Sequence, residues 1–128
     1  MSKNSFVSII KKNEDFIHLM KNGKSMITSC LKAYWIEVSS DNEQFRLAIR
    51  VPKKKLKKAV DRNLIKRRIK EEFMRISRSS IGNKSVKINL LIVYNQEKLC
   101  TSKEINHSLN QIWKSIPIHN KNETIDTV

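Results

Sequence analysis

The sequence predicts an α/β two-layer sandwich, in which helices cover one side of a mixed four-stranded sheet in the order α-β-β-β-α-β-α. A length of 128 residues suits a single domain with a modest core. Segments typical of strands alternate along the chain with segments whose apolar residues recur at helical spacing. Gly23, Pro52 and Gly82 fall between these segments, where each can end a helix or a strand.

The N-terminal half is expected to hold one helix and two or three strands. Residues 1–8 carry no clear pattern and are expected to fray. A helix should begin at Asn13, whose side chain can accept from the first turn, and end at Gly23. The β-branched and aromatic residues of segment 26–38 predict one long strand or two short ones. The alternation over residues 45–51 predicts another strand, and the proline that follows ends it because proline cannot donate to the ladder.

The C-terminal half is expected to hold two helices around one strand. A helix is predicted from about residue 56 or 60 to residue 77, with an apolar stripe of Ile65, Ile69, Phe73 and Ile76. The apolar run over residues 86–94 suits a buried central strand. Residues 103–116 predict a final helix, capped by Ser102, with inward-facing Ile105, Leu109, Ile112, Trp113 and Ile116. One domain over residues 1–117 and a polar, disordered tail over 118–128 are therefore expected.

Positive charge is concentrated in one stretch of the chain. Residues 50–78 contain 13 Lys or Arg against three acidic residues, which is +10 of the total net charge of +14. A general bias toward lysine would scatter the charge evenly and would not favour arginine. The clustering therefore indicates a polyanionic partner, because neutralising phosphates releases counterions and drives binding.

The alternative explanation of this stretch is a solvated helix with ion pairs between residues one turn apart. It accounts for Glu71 and Glu72, which have arginines three or four residues away. It does not account for Lys66 or Lys70, which have no carboxylate at those spacings. Because adjacent like charges on a surface repel by a few tenths of a kcal/mol per pair, so many unpaired cations favour a phosphate-binding surface.

The candidate phosphate-binding residues are the basic side chains of this stretch and one amide: Lys53, Lys54, Lys55, Lys58, Arg62, Asn63, Lys66, Arg67, Arg68 and Lys70. Arginine forks bind phosphate oxygens in pairs, and lysines add mobile positive charge. Asn63 could donate to a phosphate or accept from a ribose 2′-hydroxyl. Pattern alone equally allows Asn63 to cap or kink the helix.

A second candidate surface is aromatic. Phe16, Tyr34 and Trp35 could stack on unpaired bases of a single-stranded RNA. Adjacent strand residues point to opposite faces, so Tyr34 and Trp35 cannot both face the core, and one should face away from the helical layer or into an open groove. Taken alone, Phe16 is more typical of a core residue.

No catalytic or metal-binding constellation is found in the sequence. His18, His107 and His119 stand isolated, and no glycine-rich phosphate loop occurs. A conventional protein nuclease needs carboxylates that hold Mg²⁺, and the acidic residues here are dispersed or placed beside basic ones. We therefore expect no catalytic residue, no metal site and no small-molecule ligand in the protein itself.

The same sequence predicts a cytoplasmic protein without membrane contact. Cys30 and Cys100 lie far apart and lack CxxC spacing, which favours reduced thiols over a disulfide scaffold. The longest apolar run, residues 88–94, is far shorter than the roughly 20 residues that span a bilayer. The N-terminus carries no apolar signal core.

The segment RNLIKRRIKE at residues 62–71, preceded by Lys53, Lys54 and Ala59, closely resembles the signature of the bacterial ribonuclease P protein subunit. That signature runs approximately K-K-…-A-x-x-R-N-R-I-K-R-x-x-R-E-x-F. The resemblance extends from about residue 10 to residue 116.

This resemblance implies a ribonucleoprotein endonuclease that removes the 5′ leader from precursor tRNA. In that family the RNA subunit is the catalyst and holds the Mg²⁺, while the protein binds this RNA and the leader. It further implies a left-handed βαβ crossover, an exception to the usual rule. By position, the ribozyme-facing helix would present Arg62, Asn63, Lys66, Arg67 and Lys70, with Lys53 and Lys54 beside it. The leader cleft would be lined by Phe16, Met20 and Tyr34.

The sequence departs from the family pattern at several positions. Leu64 stands where the family usually has an arginine, and Lys70 replaces another arginine. Met20 replaces a common phenylalanine of the cleft, although a thioether can still pack on a base. A structural RNA-binding protein of the ribosomal type remains the main alternative. A helix-turn-helix DNA-binding protein is disfavoured, because no short helix precedes the basic one at the right distance.

Overall fold

The computed structural model describes residues 7–9, 13–38, 45–80 and 87–116 of the chain. The elements in chain order are β1 (Val7–Ile9), α1 (Asn13–Asn22), β2 (Lys24–Ile27), β3 (Leu31–Val38), β4 (Phe45–Arg50), α2 (Ala59–Ser80), β5 (Lys87–Tyr94) and α3 (Ser102–Ser115). The predicted order of helices and strands is confirmed, and segment 26–38 forms two strands rather than one. The turn at 39–44, Gly82 and the tail at 118–128 lie outside the described residues.

The strands form one mixed sheet in the order β1-β4-β5-β3-β2. β4 pairs in parallel with both β1 and β5, whereas β3 is antiparallel to β5 and β2. The predicted four strands are present, and β1 adds a short fifth strand at one edge. The expectation that residues 1–8 fray is wrong for Val7 and Ser8, whose backbones pair with Phe45 and Arg46. The β4-α2-β5 segment is the parallel crossover, and its left hand stays a prediction from the resemblance.

The two faces of the sheet are covered differently. One face packs against α2 and α3 in a large core that includes Leu47, Leu90 and Ile69. On the other face α1 packs through Leu19 against Ala48 and Leu91. The expectation that all helices lie on one side is therefore wrong for α1. Apolar residues are almost continuous in β5, and a central strand of this kind can be covered on both faces.

Gly23 ends α1 as predicted, and close packing explains why a glycine stands there. Its N–H donates to the carbonyl oxygen of Leu19 at 2.9 Å, which closes the last turn. A Cβ at this position would lie 2.7 Å from the backbone oxygens of both Leu19 and Trp35, closer than a carbon atom can approach. The helix therefore turns directly into the sheet at a point that a larger residue would block.

The last helix begins one residue earlier than predicted. Thr101, rather than Ser102, is the N-cap: its hydroxyl accepts from the Glu104 N–H at 3.1 Å, and the Glu104 carboxylate accepts from the Thr101 N–H at 2.8 Å. This reciprocal capping box requires an acidic residue or a glutamine three positions after the cap, which Thr101 has and Ser102 does not. The predicted inward residues of α3 are all buried: Ile105, Leu109, Ile112, Trp113 and Ile116.

The described part of the chain contains no helix that is both long and apolar enough to cross a bilayer.

Candidate nucleic-acid interface

Helix α2 buries its predicted stripe and leaves a polar arc exposed. Ile65, Ile69, Phe73 and Ile76 all lie in the core, and the Phe73 ring meets Trp113 of α3 edge-on at 5.6 Å. The arc beside this stripe carries four exposed side chains at helical spacing: Asn63, Lys66, Arg67 and Lys70. Because a helix places residues three and four apart on one face, these four form a continuous surface, which we call the basic face.

The described residues do not neutralise the cations of the basic face. Within the described ranges, no carboxylate lies within ion-pairing distance of Lys66, Arg67 or Lys70. On another side of α2 the buried Glu72 accepts from Arg75 at 2.7 Å. Asn106 of α3 donates to the second oxygen of Glu72 at 2.9 Å. The ion-pair explanation of the helix thus applies to its core-facing flank and not to the basic face.

A second group of lysines lies where the chain enters α2. We call residues 53–58 the lysine loop. The N–H groups of Lys55 and Leu56 both donate to the carbonyl oxygen of Pro52, which folds the loop into a tight turn. Leu56 is buried in the core and anchors the loop, while Lys53, Lys54 and Lys58 remain exposed and Lys55 is half-buried. The loop therefore carries its charges on a structured support beside the N-terminus of the helix.

Arg62 joins the lysine loop to α2. Its guanidinium Nη1 donates to the carbonyl oxygens of Leu56 at 3.1 Å and Lys57 at 2.9 Å. A planar fork with several donors can hold two carbonyls at once, which an amine on a flexible stem does less well. Arg62 is predicted from the sequence to face a phosphate, but the structure places one of its nitrogens on the protein backbone.

Arg68 is also directed toward protein. Its Nη1 donates to the carbonyl oxygen of Cys100 at 2.6 Å, across the boundary between α2 and the loop that precedes α3. The ion pair of Arg68 with Glu72, which helical spacing suggests, is therefore not formed. Helical spacing places Arg68 on a different flank from Arg67, but it could not predict this partner, because the carbonyl lies 32 residues away in the chain.

The lysine loop borders an open depression of about 430 Å³. Its walls carry four lysines, one leucine and two carboxylates: Lys54, Lys55, Leu56, Lys57, Lys58, Asp61 and Glu97. The positive charge exceeds the negative charge in this depression. Such a surface attracts an extended polyanion such as a nucleic-acid backbone.

Of the predicted aromatic residues, Tyr34 lies on the other face of the sheet. Tyr34 is half-buried beside Leu19 of α1, whereas Trp35 is buried in the core under α2 and α3. The expectation that only one of these two aromatics faces the helical core is confirmed. Met20 is 46% exposed and does not belong to the cluster around Tyr34. Phe16 is a residue of α1, and its side chain lies outside the described part of the structure.

Lys32 is a functional candidate that the sequence reasoning missed. Its ammonium nitrogen lies 5.1 Å from the centre of the Tyr34 ring, within reach of a cation–π contact. The strand register places Lys32 in one cross-strand row with Val93 and Arg50. The sequence contained the signal, because Lys32 lies two residues before Tyr34 and residues two apart in a strand share a face. This face therefore combines an aromatic ring with cationic side chains.

In the part of the chain that the structure describes, no three His, Cys, Asp or Glu side chains are grouped so that they could hold a metal ion. The basic face and the aromatic face lie on opposite sides of the sheet, because α2 packs on one face and Tyr34 on the other. The arrangement can therefore hold two separate segments of nucleic acid.

The family model described as Ribonuclease P matches residues 7–117 of this chain. A ribonuclease P protein component of Macrococcus caseolyticus is 40% identical over 115 residues, which cover 90% of this chain and 95% of that protein. The corresponding protein of Staphylococcus haemolyticus is 38% identical over 112 residues, covering 88% and 92%.

Solved structures give the same result. The RNase P protein of Staphylococcus aureus superposes with a TM-score of 0.67 and 31% identity, covering 88% of this chain and 97% of that one. The RNase P protein of Thermotoga maritima reaches a TM-score of 0.69 at 21% identity, covering 85% and 97%, and shares the fold. The predicted fold class is thus confirmed by known structures. By family match, identity and fold together, the chain belongs to the ribonuclease P protein family.

Proposed function

We propose that this protein binds the catalytic RNA of ribonuclease P and the 5′ leader of precursor tRNA. In this role it assists the endonucleolytic removal of the leader, which gives the mature 5′ end of tRNA. Family membership supports the assignment. We propose the cytoplasm as the place of action.

The observation that carries this proposal is the basic face of α2, whose cations have no carboxylate partner among the described residues. A folded RNA offers closely spaced phosphates, and each phosphate that a lysine or arginine neutralises releases condensed counterions. Within the described residues Lys66, Arg67 and Lys70 have no carboxylate partner, so binding RNA breaks no existing ion pair on this surface. Asn63 lies on the same arc and supplies a neutral donor and acceptor for a ribose hydroxyl.

The basic residues divide into two roles in this proposal. Lys53, Lys54, Lys66, Arg67 and Lys70 contact the catalytic RNA directly. Arg62 acts as a positioning residue, because its hydrogen bonds to Leu56 and Lys57 hold the lysine loop against the helix. Lys55 and Lys58 add charge along that loop, while Arg68 keeps α2 in register with the segment before α3. A preformed loop loses less conformational entropy when it meets the RNA than a free one would.

The leader of precursor tRNA is assigned to the opposite face of the sheet. Tyr34 offers a ring on which an unpaired base can stack, and Lys32 beside it can meet a phosphate of the same strand. Phe16 and Met20 of α1 are proposed to line the same cleft. Stacking tolerates every base, so this surface suits a leader of variable sequence.

Bond cleavage is assigned to the RNA partner. Hydrolysis of a phosphodiester near neutral pH is commonly assisted by metal ions that activate water and stabilise the leaving oxygen. We propose that the Mg²⁺ for this step is held mainly by the RNA. The protein contributes affinity and orientation and no catalytic side chain of its own.

Reconstitution with a bacterial ribonuclease P RNA tests this assignment. The protein alone should leave precursor tRNA intact, whereas protein and RNA together should remove the leader at Mg²⁺ concentrations where the RNA alone is slow. Cleavage by the protein alone would contradict the proposed division of labour. Reconstitution that gives no gain over the RNA alone would remove the proposed function.

A further inference from the structure

The two cysteines of the chain lie against each other, although they are far apart in the sequence. Cys30 Sγ and Cys100 Sγ are 3.1 Å apart across a separation of 70 residues. They are the only two cysteines of the protein, both are free thiols, and they are 4% and 1% exposed. A disulfide needs sulfurs about 2.0 Å apart, so a movement on the order of 1 Å would allow the bond to form.

Hydrogen bonds from three other elements hold the pair in place. The Cys30 N–H donates to the hydroxyl of Ser108 on α3 at 3.3 Å. The Cys100 N–H donates to the Tyr94 hydroxyl at 2.9 Å, and its carbonyl oxygen accepts from Arg68 of α2 at 2.6 Å. Both backbones are thus fixed from several sides, and the proximity of the sulfurs is built into the fold.

A pocket of about 490 Å³ lies beside this pair. Both cysteines contribute to its lining, and the walls also carry Lys98 and Lys103 together with Glu104. The two lysines make the walls suitable for a small molecule that bears carboxylates. The lining of the pocket therefore combines a dithiol with cationic groups.

We propose that Cys30 and Cys100 form a modification site, at which a carboxylate-bearing low-molecular-weight disulfide oxidises the two thiols to an intramolecular disulfide. In the first step the Cys30 thiolate attacks one sulfur of the small disulfide RSSR, forms a mixed disulfide and expels RS⁻. In the second step Cys100 gives its proton to the expelled thiolate and attacks the Cys30 sulfur of the mixed disulfide. The second RS⁻ then leaves and takes up the proton lost by Cys30. Two protein thiols and RSSR thereby give one protein disulfide and two RSH.

The more exposed sulfur is assigned the first attack: Cys30 is 4% exposed and Cys100 is 1% exposed. Burial also raises the pKa of Cys100 to about 11, so this thiol is held almost fully protonated at neutral pH and is a poor nucleophile until it gives up its proton. Exchange should accordingly be slow at neutral pH and should require the small disulfide in excess.

The disulfide would connect the start of β3 to the segment before α3. It would close a long loop of the unfolded chain and so raise the thermal stability of the folded protein. The side chains of the basic face are exposed to solvent, whereas both sulfurs are buried, and α2 meets Cys100 through Arg68 at a backbone carbonyl rather than through the basic face. Binding of RNA should therefore remain unchanged after oxidation, which separates this proposal from the proposed function.

The full-length native protein would be incubated with excess glutathione disulfide, and the intact mass and the melting temperature would be measured. The expected product has lost two hydrogen atoms, carries no adduct, and melts on the order of 10 °C higher. The variants C30A and C30S should fail to form it, and C100A should stop at a single glutathione adduct on Cys30. Dithiothreitol should restore the original mass and melting temperature.

Three outcomes would overturn the proposal: a wild-type protein that retains the adduct, a disulfide that joins two chains, or native thiols that react only after denaturant is added. Two variants are used at Cys30 because alanine and serine differ in the polarity that they bury. If one variant fails to fold, the other still reports on the pair. The mass readout needs no RNA, so the test stands even if the protein fails to reconstitute ribonuclease P.

Discussion

The guanidinium of Arg62 donates a hydrogen bond of 2.9 Å to the carbonyl oxygen of Lys57, five residues earlier in the chain. This contact joins α2 to the lysine loop, which supplies most of the neighbouring lysines. It distinguishes Arg62 from Lys66, one turn further along the same helix, whose side chain is exposed and contacts no described carboxylate. The two residues should therefore respond differently to substitution.

Replacing Arg62 by glutamine should weaken binding of ribonuclease P RNA without changing its dependence on salt. The physical reason is that the lysines still neutralise phosphates in the complex, but the loop must first be ordered. The expected loss is about 1 kcal/mol, the typical net value of a hydrogen bond, measured as Kd over a range of salt concentrations. In a protein that also lacks the charges of Lys53 and Lys54, the same substitution should cost less. Arg62 would instead be a direct phosphate ligand if the substitution lost the same binding free energy in both proteins. A salt slope reduced by about one unit, the value for one phosphate contact, would lead to the same conclusion.

Replacing Lys66 by alanine should weaken binding of the RNA and also reduce its salt dependence. A lysine that neutralises one phosphate contributes about one unit to the salt slope, and its loss should cost about 1–2 kcal/mol. Lys114 on α3 is a matched control, because it is also an exposed lysine on a helix but lies outside the basic face. A loss confined to substrate binding, or an equal effect of Lys114→Ala, would show that the basic face is assigned wrongly.

Replacing Tyr34 by leucine should reduce affinity for precursor tRNA only when a leader is present. Stacking of a base on an aromatic ring contributes about 1–3 kcal/mol, which leucine cannot supply. Tyr34→Phe retains the ring and should retain most of the affinity, which makes it the matched control. The measurement compares Kd of the holoenzyme for RNA with and without the leader. An equal loss for both RNAs would place Tyr34 outside the leader site.

Replacing Gly23 by alanine should destabilise the fold. The new methyl group would lie 2.7 Å from the backbone oxygens of Leu19 and Trp35, so the end of α1 must shift away from β3. Overpacking of this kind typically costs about 1–3 kcal/mol, which denaturant unfolding can measure. Ser25→Ala is a suitable control, because Ser25 is an exposed residue of the adjoining strand. If Gly23→Ala were as stable as the original protein, Gly23 would not lie in the close backbone contacts described above.

The capping box of α3 should make stability depend on acid pH. The hydrogen bond from the Thr101 N–H lowers the pKa of Glu104 below its ordinary value of 4.5. A carboxylate with a lowered pKa stabilises the folded protein above its unfolded pKa, and this contribution is lost as the pH falls through the folded value. The difference in melting temperature between the original protein and Glu104→Ala should therefore shrink below about pH 4.5. A difference that stays constant from neutral pH down to pH 3 would exclude this role of the charge.

Sequence patterns anticipated most of the secondary structure. The core stripe of α2 and the inward face of α3 were predicted because helical spacing places residues three and four apart on one side, whatever the rest of the fold does. The exposure of Asn63, Lys66, Arg67 and Lys70 follows from the same local rule. The strand preceding Pro52 and the turn at Gly23 were predicted because these residue types restrict the backbone on their own. The sequence alone also showed the family resemblance of segment 62–71, and with it the fold class.

Only the tertiary structure decided relations between residues that are distant in the chain. It placed α1 on the second face of the sheet, gave one guanidinium nitrogen of Arg62 and of Arg68 backbone carbonyls as partners, and brought Cys30 beside Cys100. None of these follows from periodicity. Periodicity shows which side of a helix or strand is apolar. The partner of a guanidinium or a thiol depends instead on which distant segment of the chain the tertiary fold brings beside it.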